Sequence, residues 1–208
     1  MLKKLITNTY FFFGELTFLA LITHNENFFF HQNYQIRIVI YVISLFYLIF
    51  VIKLIGFSQK QLGLTKKDFL PSLKSIAPII VLFILILPII RLFYPSLFGL
   101  SLHPDSIWLI LLRGFYYSII SAPVQELIFR AYVVNRLEQF SLNRHFLIVV
   151  SSLIFALAHW PFGSFPMVIS TFVLGILLSV NFLKYRNIFT PIIVHSLVGL
   201  ALMLCILQ

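Results

Sequence analysis

One short stretch in the middle of the chain combines residue types that could do chemistry. Glu126 lies there beside Gln125, with Arg130 four residues later, and most of the flanking residues are apolar. On a helix Glu126 and Arg130 share a face, whereas Gln125 points about 100° away around the axis. An ionisable group at the centre of a membrane helix costs about 2.5–3.5 kcal/mol on insertion scales, so a functional role is the first interpretation. The alternative is an ion pair that only neutralises itself.

Two histidines lie further along the chain in similarly apolar surroundings. His159 ends the segment FALAH, so that Phe155 falls on the same helical face, and the following Trp160-Pro161 is typical of a membrane interface. His195 lies inside the apolar run PIIVHSLVGL, far from any polar residue that would explain it as an interfacial side chain. We expect these two segments to meet the Glu126 segment in one site.

A glutamate and two histidines on separate helices are the ingredients for activating water. A carboxylate or an imidazole can act as a general base, and imidazoles can also hold a metal that lowers the pKa of bound water. No cofactor is required by the sequence, but zinc would suit these ligands, with Glu126, His159 and His195 as the candidates. The chain contains neither the HExxH metalloprotease motif nor a GxSxG serine nucleophile motif.

The composition indicates a membrane protein with little mass outside the bilayer. Of 208 residues, 61% are hydrophobic and only 10% are charged, against about 25% charged in soluble domains. The net charge of +9 does not indicate nucleic-acid binding, because the basic residues mark the ends of apolar runs. The single cysteine, Cys205, excludes an internal disulfide. We therefore expect one membrane domain over residues 1–208, with membrane lipids as neighbours.

The apolar runs predict an all-α, polytopic bundle of seven or eight transmembrane spans. A spanning helix needs about 20 mostly apolar residues. The predicted spans are residues 5–23, 35–56, 76–93, 107–137, 146–159, 165–183 and 188–207. The fourth run is too long for one straight span, and Arg113-Gly114 and Pro123 are its candidate breaks, so the helix either restarts near Val124 or kinks there. The first span contains Glu15, which we expect to face the interior or to hydrogen-bond locally.

Lysine and arginine accumulate in alternate loops, which predicts the orientation in the membrane. With seven spans the basic loops share one side, so the N-terminus is cytoplasmic and the C-terminus is outside; we expect the plasma membrane. This arrangement puts His159 near the outer end of its helix and Glu126 at middle or inner depth. Two helices in the long run would match their depths better but would break the charge rule later in the chain.

The three segments resemble the motifs of the CAAX prenyl protease type 2 / bacteriocin-processing (CPBP, Abi) family of intramembrane proteases. That family carries EExxxR, FxxxH and HxxxN or a variant on three helices. Here QELIFR, FALAH and HSLVG occupy these places in order. The resemblance covers about residues 105–208, whereas residues 1–100 match only in being transmembrane. It implies an endopeptidase, long called a metalloprotease, in which glutamate and histidine activate water for attack on a peptide bond.

Position by position, the resemblance assigns roles to four residues and exposes two departures. Glu126 and His159 would activate water, His195 would assist at the oxyanion, and Arg130 would orient Glu126. Gln125, however, replaces the first glutamate, and an amide is too weakly basic to act as a general base. Gly199 replaces the asparagine and offers no side-chain donor. If an oxyanion-hole deletion is a fair analogue, that loss costs about 2.7–4 kcal/mol of transition-state stabilisation.

Two hypotheses follow from these departures. Either Glu126 with His159 takes over water activation and the chain cleaves a membrane-associated, prenylated or leader peptide, or it is a protease-like scaffold that binds partners without cutting. A transporter is a third alternative, suggested by charged residues within spans. It is weakened because the sequence contains no visible inverted repeat and no paired broken helices.

Overall fold

The computed structural model describes residues 4, 6–24, 34–94, 107–140, 143–160 and 164–206, and the regular elements in these ranges are helices without a strand. The all-α prediction is therefore confirmed. In chain order the helices are α1 (Thr9–His24), α2 (Tyr34–Ile55), α3 (Phe69–Phe93), α4 (residues 107–139), α5 (Arg144–Leu157), α6 (Phe165–Tyr185) and α7 (Phe189–Ile206). The sequence placed the start of α3 seven residues too late, because Pro71 and Lys74 had been assigned to the preceding loop.

Helix α4 runs without interruption through the stretch where we expected a break or a kink. Its geometry changes along its length: α at Ile107–Tyr116, π at Tyr117–Ser121, α at Ala122–Glu126, π at Leu127–Val134 and α at Asn135–Gln139. Pro123 lies in the first turn of the middle α segment, and the N–H of Ala122 bonds the carbonyl of Tyr117, five residues back. The wider π turn accommodates a proline that would clash in a regular helix. The predicted restart near Val124 is therefore wrong.

The outer surface is apolar, as expected of a protein that lies in lipid. Phe46, Leu85 and Trp108 are 69%, 64% and 77% exposed, and exposed apolar surface on this scale marks contact with a membrane or a partner. Within the described ranges, two helices, α3 and α6, are long and apolar enough to cross a bilayer. Shorter apolar helices occur at Val42–Ile55, Arg144–Leu157 and Phe189–Cys205. The number of crossings thus remains a prediction.

Two apolar cores hold the helices together. The larger joins α1, α2, α4 and α5 through residues such as Phe12, Val51, Val134 and Leu147. The smaller joins α3, α6 and α7 through Ile76, Ile80, Leu174, Leu178, Val194 and Val198. Cys205 is buried and packs against Leu87 between α3 and α7, which agrees with a packing role for this cysteine.

Small residues bring α5 and α6 into close contact. A Cβ atom on Gly175 of α6 would lie 3.1 Å from the Cα of Ser152 on α5, and the hydroxyls of Ser151 and Ser179 lie 3.1 Å apart. Small side chains of this kind let membrane helices approach closely. The consequence for the site is that the backbone of α6 comes within reach of side chains on α4.

One end of the molecule gathers several basic loops into a single polar region. The N–H of Ile188 donates to the carbonyl of Gly63 (3.0 Å), and the amide of Asn187 donates to the carbonyls of Thr65 (2.8 Å) and Lys67 (3.2 Å). Arg186 pairs with Glu138 at the end of α4. The loop between α2 and α3, the turn between α6 and α7 and the end of α4 therefore lie together.

Arg136 belongs to this end but is not exposed to solvent. It is completely buried, and its guanidinium donates to the carbonyl of Ile6 (2.8 Å) and lies over the ring of Phe12 (5.1 Å). It ties the N-terminal segment to α4.

Candidate active site

Glu126 lies at the centre of the candidate site and is completely buried. Its Oε1 accepts a hydrogen bond from Nδ1 of His195 (2.8 Å), which joins α4 to α7. Its Oε2 lies 3.2 Å from Nε of Arg130, one turn along α4. Both carboxylate oxygens are thus engaged, one by an imidazole and one by a guanidinium.

Arg130 neutralises the buried carboxylate and is itself held in place by three elements. Besides Glu126, it donates from Nη2 to the carbonyl of Gly175 on α6 at 3.4 Å. Its guanidinium lies over the ring of Phe155 on α5, 4.4 Å from the ring centre. A buried charge without such partners would be strongly destabilising, so these contacts explain how the bundle tolerates the ion pair.

Phe155 is the common neighbour of the charged and imidazole groups. Its ring meets those of His159 and His195 edge to face, with centroids 4.8 Å and 5.3 Å away, and Phe129 packs against it at 5.1 Å. Aromatic pairs favour this edge-to-face geometry. Phe155 therefore fixes the planes of both imidazoles while remaining fully buried itself.

His159 follows the end of α5 rather than lying within the helix. Its Nδ1 lies 2.9 Å from the carbonyl oxygen of Phe155. Because a carbonyl can only accept, Nδ1 must carry the hydrogen in the neutral imidazole, and Nε2 then presents a lone pair. His195 has the same tautomer when its Nδ1 donates to the Glu126 carboxylate. Two imidazoles thus offer unprotonated Nε2 atoms to the same region.

These histidines line a cavity of about 430 Å³ between α3, α4, α6 and α7. Most of its wall is apolar, with residues such as Phe83, Leu87, Met167, Leu174, Val198 and Leu202. The polar groups at the wall include His159, His195 and the hydroxyl of Tyr117. Mostly apolar cavities with a few convergent polar groups are typical of small-molecule sites. Glu126, Arg130 and Phe155 do not line the cavity. Glu126 and Phe155 contact the histidines, and Arg130 contacts Glu126 and Phe155.

Gln125 is turned away from this arrangement. Its amide donates to the hydroxyl of Ser121 on the preceding turn of α4 (2.9 Å), and it is absent from the cavity wall. The structure therefore brings together Glu126, Arg130, Phe155, His159 and His195, but leaves Gln125 outside.

Gly199 lines the cavity, and the sequence gave no indication of what lies beside it. A Cβ atom at this position would overlap the hydroxyl end of the Tyr117 ring. Tyr117 also contacts His195 edge to face, with centroids 5.9 Å apart. Sequence reasoning missed Tyr117, since its nearest motif residue is eight positions away and its position depends on how α4 packs against α7.

The side chains present do not suit a zinc ion. Catalytic zinc takes three protein ligands, whereas the described residues contain no group of three or more His, Cys, Asp or Glu side chains arranged to hold a metal. The two imidazole Nε2 atoms remain as donors, but both oxygens of Glu126 are already engaged. Glu126, the third candidate metal ligand from the sequence, is therefore already paired with His195 and Arg130.

Comparison with known families supports the resemblance read from the three motifs. Residues 106–201 match the model of a family described as type II CAAX prenyl endopeptidase Rce1-like. The matched segment contains Glu126, His159 and His195, and all of the described α4, α5 and α6. No curated protein and no solved structure matches the chain.

Proposed function

We propose, from the match of residues 106–201 to the model of the Rce1-like family of type II CAAX prenyl endopeptidases, that the protein is an intramembrane endopeptidase that activates water with a Glu126–His195 pair. The family is membrane-embedded and its activity is that of a protease. The substrate, the division of roles among the residues and the metal dependence belong to the proposal.

The observation that carries the proposal is a buried carboxylate bonded to an imidazole at a cavity wall. Glu126 accepts from Nδ1 of His195 at 2.8 Å, which leaves Nε2 as the basic nitrogen. In the Ser-His-Asp triad a buried carboxylate plays this part, since it fixes the tautomer of the histidine and stabilises the imidazolium that forms. Glu126 would therefore act through His195 rather than touch water itself, which revises the roles assigned from the motifs.

The reaction proceeds in two steps in this proposal. Water attacks the peptide carbonyl carbon, its proton passes to Nε2 of His195, and the carbonyl π electrons move onto oxygen. The tetrahedral intermediate then collapses, the C–N bond breaks, and the leaving nitrogen takes the proton from the His195 imidazolium. His159 accepts the second hydrogen of the attacking water at its own Nε2 and so orients the oxygen lone pair.

The apolar cavity supports a substrate with an apolar chain close to the cleaved bond. The described residues that line it on α3, α6 and α7 are mainly aliphatic and aromatic, and none of them is charged. Burying each CH₂ group of a bound chain contributes about 0.8 kcal/mol. We therefore propose a membrane-associated peptide, with a prenylated CAAX peptide as the first candidate and an apolar leader peptide as the second.

We propose that this hydrolysis needs no metal. The donor set favours this choice, because Glu126 is bonded to Arg130 and His195, and the described residues supply no third ligand beside the two histidines. The proposal predicts that a chelator leaves the rate of cleavage unchanged. A loss of cleavage that returns on adding zinc would contradict it.

The polar end of the molecule supports the proposed orientation. The loop between α2 and α3 and the turn between α6 and α7 are bonded to each other there, and both carry lysine or arginine. By the positive-inside rule this end faces the cytoplasm. We propose a plasma membrane location, with the N-terminus on the same side. Reaction of single cysteines introduced at Lys60 and Lys184 with an impermeant maleimide in intact cells would contradict this orientation.

The test of the proposed function is a cleavage assay with purified protein in liposomes. The probes are a farnesylated peptide with a C-terminal CAAX sequence and the same peptide without the farnesyl group. Wild type should cleave the farnesylated peptide faster, His195→Ala should lose activity, and His145→Ala, at an exposed histidine, should retain it.

Two other results would redirect the assignment. If wild type and all variants bind the farnesylated peptide without cleaving it, the scaffold alternative replaces the enzyme. If His195→Ala cleaves at the wild-type rate, the proposed base is wrong although the protease assignment stands.

A further inference from the structure

A carbonyl attacked by water becomes an oxyanion, and the wall of this cavity needs a hydrogen-bond donor to stabilise it. Donors aimed at the developing charge contribute much of the rate enhancement in acyl-transfer enzymes. Both imidazoles present Nε2 lone pairs when their Nδ1 atoms donate to Glu126 and to the carbonyl of Phe155. In the resting site these two nitrogens are therefore acceptors, and the donor must come from elsewhere.

The hydroxyl groups of α6 at the cavity wall are already committed to the helix itself. Ser170 donates to the carbonyl of Met167 at 2.9 Å, and Thr171 donates to the same carbonyl at 2.8 Å. Ser164 acts at the helix start, where its oxygen accepts from the N–H of Met167. The hydroxyl hydrogens of Ser170 and Thr171 are therefore committed to their own backbone, and the oxygen of Ser164 is held at the helix start.

The Tyr117 hydroxyl lies at the same wall, between Gly199 and His195. It donates to the backbone carbonyl of His195 at 3.4 Å, which is long for a bond from a hydroxyl and therefore weak. A phenol in such a contact can turn to a stronger acceptor when one enters the cavity. The edge-to-face contact with the His195 ring, at 5.9 Å between centroids, keeps it beside the proposed base.

Gly199 is what makes room for this hydroxyl. A glycine within a helix costs about 1 kcal/mol relative to alanine, and here a Cβ atom would overlap the hydroxyl and ring edge of Tyr117. The absence of a side chain at position 199 and the presence of the phenol are thus two parts of one arrangement. The loss of a donor expected from Gly199 alone is compensated by a donor from α4.

We propose that Tyr117 donates the hydrogen bond that stabilises the oxyanion and that Gly199 is required to admit it. The inference rests on the proposed function, since it names a further catalytic residue for that reaction. The π segment Tyr117–Ser121 begins at this tyrosine, and π turns occur frequently at functional sites. The segment sets the position of the ring relative to α7.

The test removes the hydroxyl in one variant and displaces it in another, with the farnesylated CAAX peptide as substrate. Tyr117→Phe should lower kcat about 10²–10³-fold, as removal of one oxyanion donor does, with KM and thermal stability unchanged. Gly199→Ala should lower kcat because its methyl group moves the phenol. Tyr116→Phe, which removes the neighbouring hydroxyl that does not line the cavity, is the matched control and should keep wild-type kcat.

A double substitution separates this role from simple packing. Tyr117→Ala should lose activity, and Gly199→Asn added to it should restore part of kcat, because the amide then fills the vacated space with a new donor. Wild-type kcat in Tyr117→Phe, a change confined to KM, or an equal loss in Tyr116→Phe would overturn the role of Tyr117 while leaving the protease assignment intact. Absence of cleavage by wild type itself would overturn the proposed function, and the oxyanion role with it.

Discussion

Glu15 and Glu126 both lie within helices of this protein, and their partners differ in kind. Glu15 on α1 accepts hydrogen bonds from the hydroxyls of Tyr47 on α2 and Tyr132 on α4, the latter at 2.6 Å. Glu126 on α4 is bonded to an imidazole and a guanidinium. Both carboxylates join helices, but of the two only Glu126 contacts an imidazole, which can act as a general base.

The difference teaches that burial alone does not identify a catalytic carboxylate. Glu15 is supported by two phenols and does not contact the cavity wall, so it has the features of a structural link between α1, α2 and α4. Glu126 is more deeply buried, and its charge is transmitted to the cavity through His195. Of the two placements expected from the sequence, an interior face or a local hydrogen bond, these contacts with α2 and α4 agree with the interior face.

The largest effect on stability and cleavage is expected from removing the cation beside Glu126. Arg130→Leu leaves a buried carboxylate with one partner fewer, which we expect to destabilise the fold by about 3–5 kcal/mol and to abolish cleavage. Unfolding in mixed detergent micelles would measure the first effect. Arg144→Leu, at an exposed arginine on α5, is the control, and equal stability of the two variants would contradict the structural role of Arg130.

A smaller effect is expected on the Glu15 side. Tyr132→Phe removes one of the two hydroxyls that bond Glu15 and should destabilise the fold by about 1.5–3 kcal/mol, the range for a hydrogen bond to a charged group. Because this region does not touch the cavity, kcat for the farnesylated peptide should stay at the wild-type value in the folded fraction. A selective fall in kcat would show that Glu15 is coupled to the chemistry after all.

The smallest effect is expected at Gln125. Its side chain bonds Ser121 and lies outside the cavity wall, so a carboxylate introduced by Gln125→Glu has no contact with the substrate. Cleavage should neither rise nor fall by a large factor, as progress curves would measure. A strong gain in activity would mean that the side chain reaches the cavity, and that the missing first glutamate limits the natural protein.

Much of the site could be predicted because its residues repeat at helical spacing. Phe155 and His159, like Glu126 and Arg130, are four residues apart and therefore share a face, and apolar flanks placed each pair inside the bundle. The ends of helices were harder: His159 lies in a turn after α5, because the helix ends at Leu157. The sequence predicted that this span ends at His159, two residues beyond the observed end of the helix.

Features that depend on contacts between distant helices could not be predicted. No spacing rule relates Tyr117 to Gly199, and the burial of Arg136 against the N-terminal segment follows only from the packed structure. Pro123 predicted a restart or a kink of the helix; the π turn before the proline keeps α4 continuous, so the restart does not occur. In each case the final arrangement depends on contacts between helices, which the local sequence does not specify.

The most direct test of the account is to make the same substitution at both intramembrane glutamates. Glu126→Gln and Glu15→Gln should be assayed side by side in liposomes with the farnesylated CAAX peptide, alongside wild type. Glu126→Gln should lose about 10⁴-fold in kcat, as when the carboxylate that orients a catalytic histidine becomes an amide, whereas Glu15→Gln should keep the wild-type kcat. Equal rates in the two variants would contradict the claim that Glu126 assists catalysis by orienting and stabilising His195.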